Sequence, residues 1–412
     1  MSTLDLLGST SAVECPFIKV VIGDYTFGVY NKGSVDSATR VNYPNYIESL
    51  TVQKINGQVN KYTLNIQYTI RAGEDPNFFD KIFGNVSKKR KIVFSYGDLS
   101  LPNYVYKEEQ AIITNVRKSY NIANASKSYI VSATSESILT KSGGELFEAT
   151  YAKPSDIIKQ ILRQNRGGIT DIFYGMRDVD SPLVQDLIIG NDKEVNIELK
   201  SNISVLDYIS YLVSIMSPRN QATNVLQKSS VYTFTILDDF TGLYGGPYFK
   251  ISELSSDKDI DTRYEINIGY ASANAIIGFG IDDDGQAALL YNYNSSLKDS
   301  YEYTQRINNN GELEQVFAPL IGSENVHYIA EEADKNWWSK ITQFPIKARL
   351  VIKGLLKPAL LMTPVKINVV FYGRKDSASG TYVVTGQEDK ISSTSGYSTT
   401  LSLLRIKGDE IL

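Results

Sequence analysis

Alternation of apolar and polar side chains dominates both ends of this chain and predicts β-strands there. Near the C-terminus, apolar residues alternate with lysine and arginine over residues 347–353. Residues 366–371 repeat the pattern, with Phe371 on the apolar side, and residues 380–386 and 399–406 continue it. Glycines and prolines separate the segments, as turns between strands require. The pattern predicts an antiparallel meander with one buried face.

The N-terminal part carries the same alternation with clear hairpin signals. Residues 17–30 form two apolar runs around Gly23-Asp24, and a second pair of runs flanks Asn56-Gly57. Asn-Gly between alternating segments is a strong local signal for a hairpin. The apolar positions assigned to the second hairpin are Leu50, Val52, Ile55, Tyr62, Leu64, Ile66 and Tyr68.

Helical periodicity first occurs directly after the second hairpin. Asp75 can cap a helix, Pro76 suits its first turn, and Gly84 suits its end. The expected apolar face, which should pack on a sheet, comprises Phe78, Phe79, Ile82 and Phe83. Two further helices are predicted after Ser155-Asp156 and between about 202 and 218.

A last helix is predicted over residues 325–342. Its apolar stripe has three- and four-residue spacing and comprises Val326, Ala330, Ala333, Trp337 and Ile341. We expect this stripe to cover the C-terminal sheet, with Trp337 buried. Trp338 lies off the stripe, so we expect it to be partly exposed and available to a neighbouring chain.

The order of these elements divides the chain into a tail and three domains. Residues 1–14 form a flexible N-terminal tail, and residues 15–135 form a first β domain with one helix. Residues 136–260 form a mixed α+β middle domain, and residues 261–412 form a second β domain with the helix 325–342. The predicted fold class is therefore mainly β with α+β parts, and 412 residues are enough for several cores.

Composition excludes several kinds of chemistry. The chain has one cysteine, Cys15, and one histidine, His327, so an intrachain disulfide or a Cys/His zinc site cannot form. A Ser-His-Asp or Cys-His arrangement would have to use His327, which we instead expect near a helix end. The net charge of −4 argues against a general nucleic-acid-binding protein. No segment is apolar enough to span a membrane, and the N-terminus lacks the features of a secretory signal, so we expect a soluble protein.

Local motifs add no catalytic, cofactor or metal residues to the prediction. Asp282-Asp283-Asp284-Gly285 places its acids wrongly for a calcium loop and is predicted to be a hairpin turn. The basic run Lys88–Lys91 could bind phosphate, but a solvated loop or a contact with an acidic neighbour fits it better, because no aromatic residues are interleaved. Trp337-Trp338 could stack on a sugar, although core packing explains Trp337 better. Carboxylates for a glycosidase are plentiful, but nothing in the sequence distinguishes a pair.

The C-terminal quarter resembles a known family. The short helical segment EEADKNWW, the strand ending in a Gly-x-x-x-Pro turn and the final GTYVVTGQEDKIS and STTLSLLRI segments resemble the closing domain of baseplate hub proteins of contractile phage tails. Hub proteins of phage-like secretion machines share this ending. The resemblance implies that the first and last domains are tail-tube-like β-barrels or sheets, each with a packed helix.

The resemblance also implies a function. A hub of this family is a structural virion protein and a homotrimer whose duplicated domains form a pseudo-sixfold ring. The ring joins the sixfold tail tube to the threefold spike and passes DNA. The implied partners are the tail tube protein, a spike on a separate chain, and baseplate wedge or tape-measure proteins. The protein would be assembled in the host cytoplasm and located in the virion tail, with no enzyme activity and no cofactor.

Two alternatives stay open at this point. One is a tail-associated cell-wall hydrolase, which would need a catalytic constellation. The other keeps the structural role but assigns it to a phage-like secretion system or to the tip of a flexible tail.

Overall fold

The structure is a computed structural model in which β-strands predominate, so the predicted mainly β fold class is confirmed. It describes residues 4–5, 16–29, 46–84, 91–98, 106–135, 151–154, 156–158, 194–196, 205–215, 231–237, 248–254, 264–269, 276–283, 301–307, 313–319, 346–355, 361, 364–392 and 394–409. Among these residues, fifteen strands form one sheet.

Seven strands and a helix form the first β unit. The strands are β2 (Pro16–Ile22), β3 (Tyr25–Val29), β4 (Ile47–Ile55), β5 (Lys61–Thr69), β6 (Lys91–Asp98), β7 (Tyr106–Asn121) and β8 (Ser126–Ser135). Their spatial order is β4-β5-β8-β7-β6-β2-β3, and all neighbours are antiparallel. The predicted hairpins at Gly23-Asp24 and Asn56-Gly57 are confirmed, and both glycines have a positive φ.

Helix α1 (Phe78–Phe83) covers the inner face of this unit. Phe79, Ile82 and Phe83 are buried, as the periodicity predicts. The helix begins at Phe78, two residues later than Pro76, because the Asp75 carboxylate accepts a hydrogen bond from the Asn77 amide (2.9 Å) and holds a turn there.

The last β unit contains six strands. They are β13 (Tyr264–Ile268), β14 (Ile276–Asp283), β17 (Ile346–Lys353), β18 (Pro364–Phe371), β20 (Gly380–Ser392) and β21 (Gly396–Gly408), with the two-residue β19 (Arg374–Lys375) attached to β18. The predicted simple meander is wrong, because β17 pairs with β21 and β14 and does not pair with β18. Strand β18 lies instead between β20 and the parallel β13.

The residues between the two units form smaller elements. Helix α2 (Val205–Ile215) buries Ile209 and Leu212, and confirms the second predicted helix of this region. The strands here are β9 (Tyr151–Ala152), β10 (Val195–Asn196), β11 (Val231–Leu237) and β12 (Tyr248–Leu254). Later in the chain, β15 (Tyr301–Ile307) and β16 (Leu313–Pro319) form a separate antiparallel pair. Strand β1 (Leu4–Asp5) pairs in parallel with β13 of the same chain.

Among the described residues, each of the two β units contributes to an apolar core. The first core lies mainly within the first unit, where it includes Leu64, Phe79 and Tyr129, and it extends to Ile391 of β20 and Tyr397 of β21. The last core lies under β17, β18, β20 and β21 and includes Leu350, Ile367 and Leu401. The predicted helix 325–342, with Trp337 and Trp338, lies outside the described residues.

Candidate functional site

The two β units meet where β4 pairs with β20. These strands run antiparallel over seven residue pairs, in which Val52 faces Asp389 and Lys54 faces Gln387. The Asn56 amide adds a hydrogen bond to the Thr385 carbonyl oxygen (2.9 Å) at the end of this ladder. One chain therefore carries a continuous sheet from its first unit into its last.

A buried polar cluster accompanies this pairing, with side chains from β4, β7, β20 and β21. We call it the polar seam, and it consists of Lys54, Glu109, Gln387, Asp389 and Thr399. Glu109 is 2% exposed and Asp389 is 1% exposed, although charged side chains are rarely buried without partners.

The Glu109 carboxylate is the centre of one half of the seam. The Lys54 ammonium lies 2.6 Å from Glu109 Oε1, and both side chains are almost fully buried. The Tyr96 hydroxyl donates to the same oxygen (2.6 Å), and the Tyr62 hydroxyl donates to Oε2 (2.7 Å). Both carboxylate oxygens thus have charged or polar donors, which offsets the cost of burial.

The Asp389 carboxylate is the centre of the other half. Thr399 Oγ1 donates to Asp389 Oδ1 (2.6 Å), and Gln387 Nε2 lies 3.2 Å from Oδ2. The Thr399 hydroxyl oxygen in turn accepts a hydrogen bond from the Leu355 amide (2.8 Å). Through these bonds the loop after β17 is tied to β20 and β21.

Two tyrosines connect the halves of the seam. The rings of Tyr96 and Tyr397 meet edge to face at 6.3 Å, and the Tyr397 hydroxyl donates to the Leu355 carbonyl oxygen (3.0 Å). Burial and the Glu109 carboxylate raise the pKa of the Tyr96 hydroxyl well above its ordinary value. Burial and Asp389 do the same to the pKa of Tyr397.

The chemistry of the seam suits holding neighbouring strands of this sheet in register. Its carboxylates bind donors from β4, β5, β6, β20 and β21, so a shift of one strand against another would break several charged hydrogen bonds at once. A general acid or base must instead reach a substrate proton, and these groups are buried beneath the sheet.

The sequence did not predict the seam. The sequence pattern predicts that Ile55 is buried, which is wrong: Ile55 is 40% exposed and Lys54 is buried in its place. The strict alternation of Leu50, Val52 and Lys54 indicates that the Lys54 side chain points inward. A buried lysine at that position is plausible only once Glu109 is known to form an ion pair with it.

Most residues singled out in the sequence lie elsewhere. Asp282 and Asp283 are the last two residues of β14 and pair with β17, so they belong to a strand. The rest of the predicted turn lies outside the described residues. Lys91 begins β6 and is exposed, while Lys88–Arg90, Cys15 and His327 lie outside the described residues. Within the described ranges, no three His, Cys, Asp or Glu residues are grouped as a metal site would need. No described helix is long and apolar enough to cross a membrane.

Comparison with known proteins identifies the fold. No protein-family model matches the chain, and a search of curated proteins finds no significant match. Among solved structures, the tail protein from Neisseria meningitidis MC58 matches with a TM-score of 0.50 and 9% identity, over 95% of this chain and 96% of that chain. The Francisella PdpA-VgrG complex (half-lidded) matches with a TM-score of 0.50 and 11% identity, over 96% of this chain but 59% of that chain.

A third similar structure is the 43 kDa tail protein of prophage MuSo2 from Shewanella oneidensis. It matches with a TM-score of 0.48 and 10% identity, over 95% of this chain and 98% of that chain. The fold is therefore that of phage tail proteins and VgrG-type proteins, which agrees with the resemblance found in the sequence.

Proposed function

We propose that this protein is the central hub of a phage tail baseplate, a structural subunit that forms a homotrimeric ring between the tail tube and the spike. The observation that carries the proposal is the continuous sheet that joins two β units of one chain through β4 and β20. A similar fold in a tail protein, covering nearly the whole of both chains, supports it.

The joined β units offer a solution to a symmetry mismatch. Three copies with two similar units each provide six units around a ring, so one face can meet a sixfold tube while the trimer keeps threefold symmetry for a spike. This requires a fixed angle between the two units of a subunit. The β4–β20 ladder supports such an angle, because its backbone hydrogen bonds join the two units directly and have defined directions.

The proposed partners are the tail tube protein, a spike protein, and baseplate wedge or tape-measure proteins. The role is mechanical and non-enzymatic, in a virion tail assembled in the host cytoplasm. DNA would pass through the ring without being held, so its wall should avoid net positive charge. We expect the basic run Lys88–Lys91 to point away from the bore.

A second candidate is the hub of a phage-like secretion machine. The match to the PdpA-VgrG complex favours it, since that structure shares the fold over 96% of this chain. The subunit and its ring would be the same, and only the machine would differ. Images of the assembled particle distinguish a filled phage head from a headless contractile sheath.

The stoichiometry of the particle tests the proposal. Light scattering of the purified protein, together with images of the assembled particle, should show three copies in one ring. Six copies in equivalent positions would instead identify a plain tube protein. Release of soluble fragments from purified cell wall, lost on heat unfolding, would favour the hydrolase alternative.

A further inference from the structure

The hairpin between β18 and β19 ends in an unusual turn. Val370 pairs with Lys375 and Phe371 pairs with Arg374, so only Tyr372 and Gly373 form the loop. Their φ angles are 51° and 78°, both in the left-handed region. Two-residue hairpin loops of this kind favour Asn-Gly or Gly-Gly, because asparagine and glycine adopt a positive φ most easily.

Tyr372 is a poor residue for this backbone. A bulky side chain with a positive φ is an outlier, and such strain is commonly retained where it serves a function. Packing within the subunit does not offset the strain, since the Tyr372 side chain is fully exposed. Ala125 is the only other described non-glycine residue with a positive φ, and its side chain is small.

A second aromatic residue stands beside Tyr372. Phe371 was predicted to continue the buried face of β18, but it is 55% exposed. It lies beyond the residues of β18 that pair with β20, so among the described residues no strand pairs with it on that side. Arg374 and Lys375 follow directly, and both are exposed. The hairpin thus presents two aromatic rings beside positive charge.

The base of the hairpin is held firmly. The Asp376 amide donates to the Val369 carbonyl oxygen (2.8 Å), and the Val369 amide donates to Ser379 Oγ (2.9 Å). Lys375 forms an ion pair with Asp409, which also pairs with Lys366. Because the hairpin is held rigidly, its exposed aromatic side chains lose less conformational entropy when they bind a partner.

We propose that Phe371, Tyr372 and Arg374, here called the aromatic tip, anchor one copy of this chain to a second copy. Lys375 is paired with Asp409, so Arg374 gives the tip its positive charge, whereas the whole chain has a net charge of −4. A second copy is thus an electrostatically favourable partner. The expected acceptor is an apolar hollow with a carboxylate at its rim. This inference rests on the proposed homotrimer.

Replacing Tyr372 with asparagine separates folding from assembly. Tyr372→Asn restores the preferred Asn-Gly loop, so the dissociated subunit should melt at a higher temperature. The same change removes the anchor, and the dissociation constant of the trimer should rise about thirtyfold, as for an interface hot spot. Sedimentation equilibrium and thermal melts measure the two effects. A residue with a purely structural role would not produce these opposite changes.

Two further variants complete the test. Tyr151→Asn removes another exposed tyrosine and should leave the trimer unchanged. Arg374→Glu reverses the charge of the tip and should slow association, more strongly at low salt. It also keeps the loop sequence, so it tests the tip even if Tyr372→Asn fails to fold.

The outcomes distinguish this inference from the proposed function. A wild-type trimer together with an equally tight Tyr372→Asn trimer overturns the aromatic tip alone. A wild-type chain that stays monomeric in solution and in particles overturns the homotrimer and the tip together. Binding of the wild type to phosphatidylglycerol vesicles, lost in Tyr372→Asn while the trimer is intact, would show a membrane anchor and overturn the contact between copies.

Discussion

The two apolar cores and the polar seam bury similar strand faces in different ways. In the first core, Phe79 packs against Phe83 and Tyr129 with ring centroids 6.0 and 5.4 Å apart, and the apolar burial that stabilises this packing is not directional. In the seam, Glu109 is held by donors from three strands at 2.6–2.7 Å. Apolar packing supplies most of the stability. Charged hydrogen bonds, in contrast, have a defined geometry that only one alignment of the strands satisfies.

The difference suggests a division of roles within the subunit. Each core would stabilise mainly its own β unit, and the two halves of the seam would fix the alignment of the strands on either side of the β4–β20 pairing. Buried polar groups fix the alignment of elements in some proteins, and this is our hypothesis for the seam. The following predictions test the contrast between cores and seam, beginning with the largest effect.

Breaking the seam should have the largest effect. Glu109→Leu leaves the Lys54 ammonium buried without its carboxylate, which should cost about 3–5 kcal/mol of unfolding free energy. The double variant Lys54→Met with Glu109→Leu removes both charges and should recover a large part of that loss. Urea unfolding of the two variants measures the difference. A cost below about 1 kcal/mol for Glu109→Leu would mean that the seam contributes little.

Cavities in the cores should cost slightly less and act locally. Leu64→Ala in the first core and Leu350→Ala in the last core should each lower the unfolding free energy by about 2–5 kcal/mol. We expect amide hydrogen exchange to increase mainly in the β unit that carries the substitution. Equal increases in both units for Leu64→Ala would show that the cores are not separate.

High pH should destabilise the protein through the seam tyrosines. Their pKa values are raised in the folded state, so their contribution to stability is complete below the unfolded tyrosine pKa of about 10 and is lost as the pH rises above it. At pH 11, the raised pKa of each of these two tyrosines should lower the unfolding free energy by about 1.4 kcal/mol relative to neutral pH. Urea unfolding between pH 8 and 11 measures the slope, and Tyr96→Phe should make it shallower. An unchanged slope would contradict the role of Tyr96.

Surface charges should have the smallest effect. Lys118 and Lys127 both bind Asp80 on α1, at 2.5 and 3.0 Å, and these side chains are partly exposed. Lys118→Ala should cost less than about 1 kcal/mol, and high salt should reduce that cost. Thermal melts at low and high salt measure it. A larger loss of unfolding free energy in Lys118→Ala, unchanged by salt, would show that this surface ion pair stabilises the protein as strongly as the seam does.

Local chemistry explains which parts of the fold the sequence predicts. Asn56-Gly57 fixes its hairpin because the turn and both strands lie within one short segment. The apolar faces of α1 and α2 follow from helical periodicity for the same reason. Alternation also assigns the strands of the last unit, although it does not reveal that β17 pairs with β21.

Long-range pairing explains what the sequence does not predict. Gln53 and Glu388 are 335 residues apart, and nothing in either strand identifies its partner. The buried position of Lys54 depends on Glu109 from another strand, so a single segment favours Ile55 instead. Phe371 has the correct parity for burial but lies where the pairing with β20 has already ended.

The pairing of β4 with β20 can be tested directly by a disulfide. Gln53 and Glu388 face each other across the two strands, with Gln53 Nε2 2.6 Å from Glu388 Oε2. In a Cys15→Ser background, which removes the one native cysteine, Gln53→Cys with Glu388→Cys should form a bond within a single chain, since directly paired strand residues lie close enough. Thr400 faces Glu388 from the far side of β20. It is therefore two strands, or roughly 10 Å, from Gln53, and the control Gln53→Cys with Thr400→Cys should not form the bond.

Mass spectrometry of the oxidised, protease-digested protein is the most direct measurement. The account predicts one cross-linked peptide pair from the 53/388 variant, formed within the monomer and absent from the 53/400 control. A 53/388 variant that stays reduced under the same oxidation, or that cross-links only between chains, would contradict a continuous sheet through the two β units of one subunit.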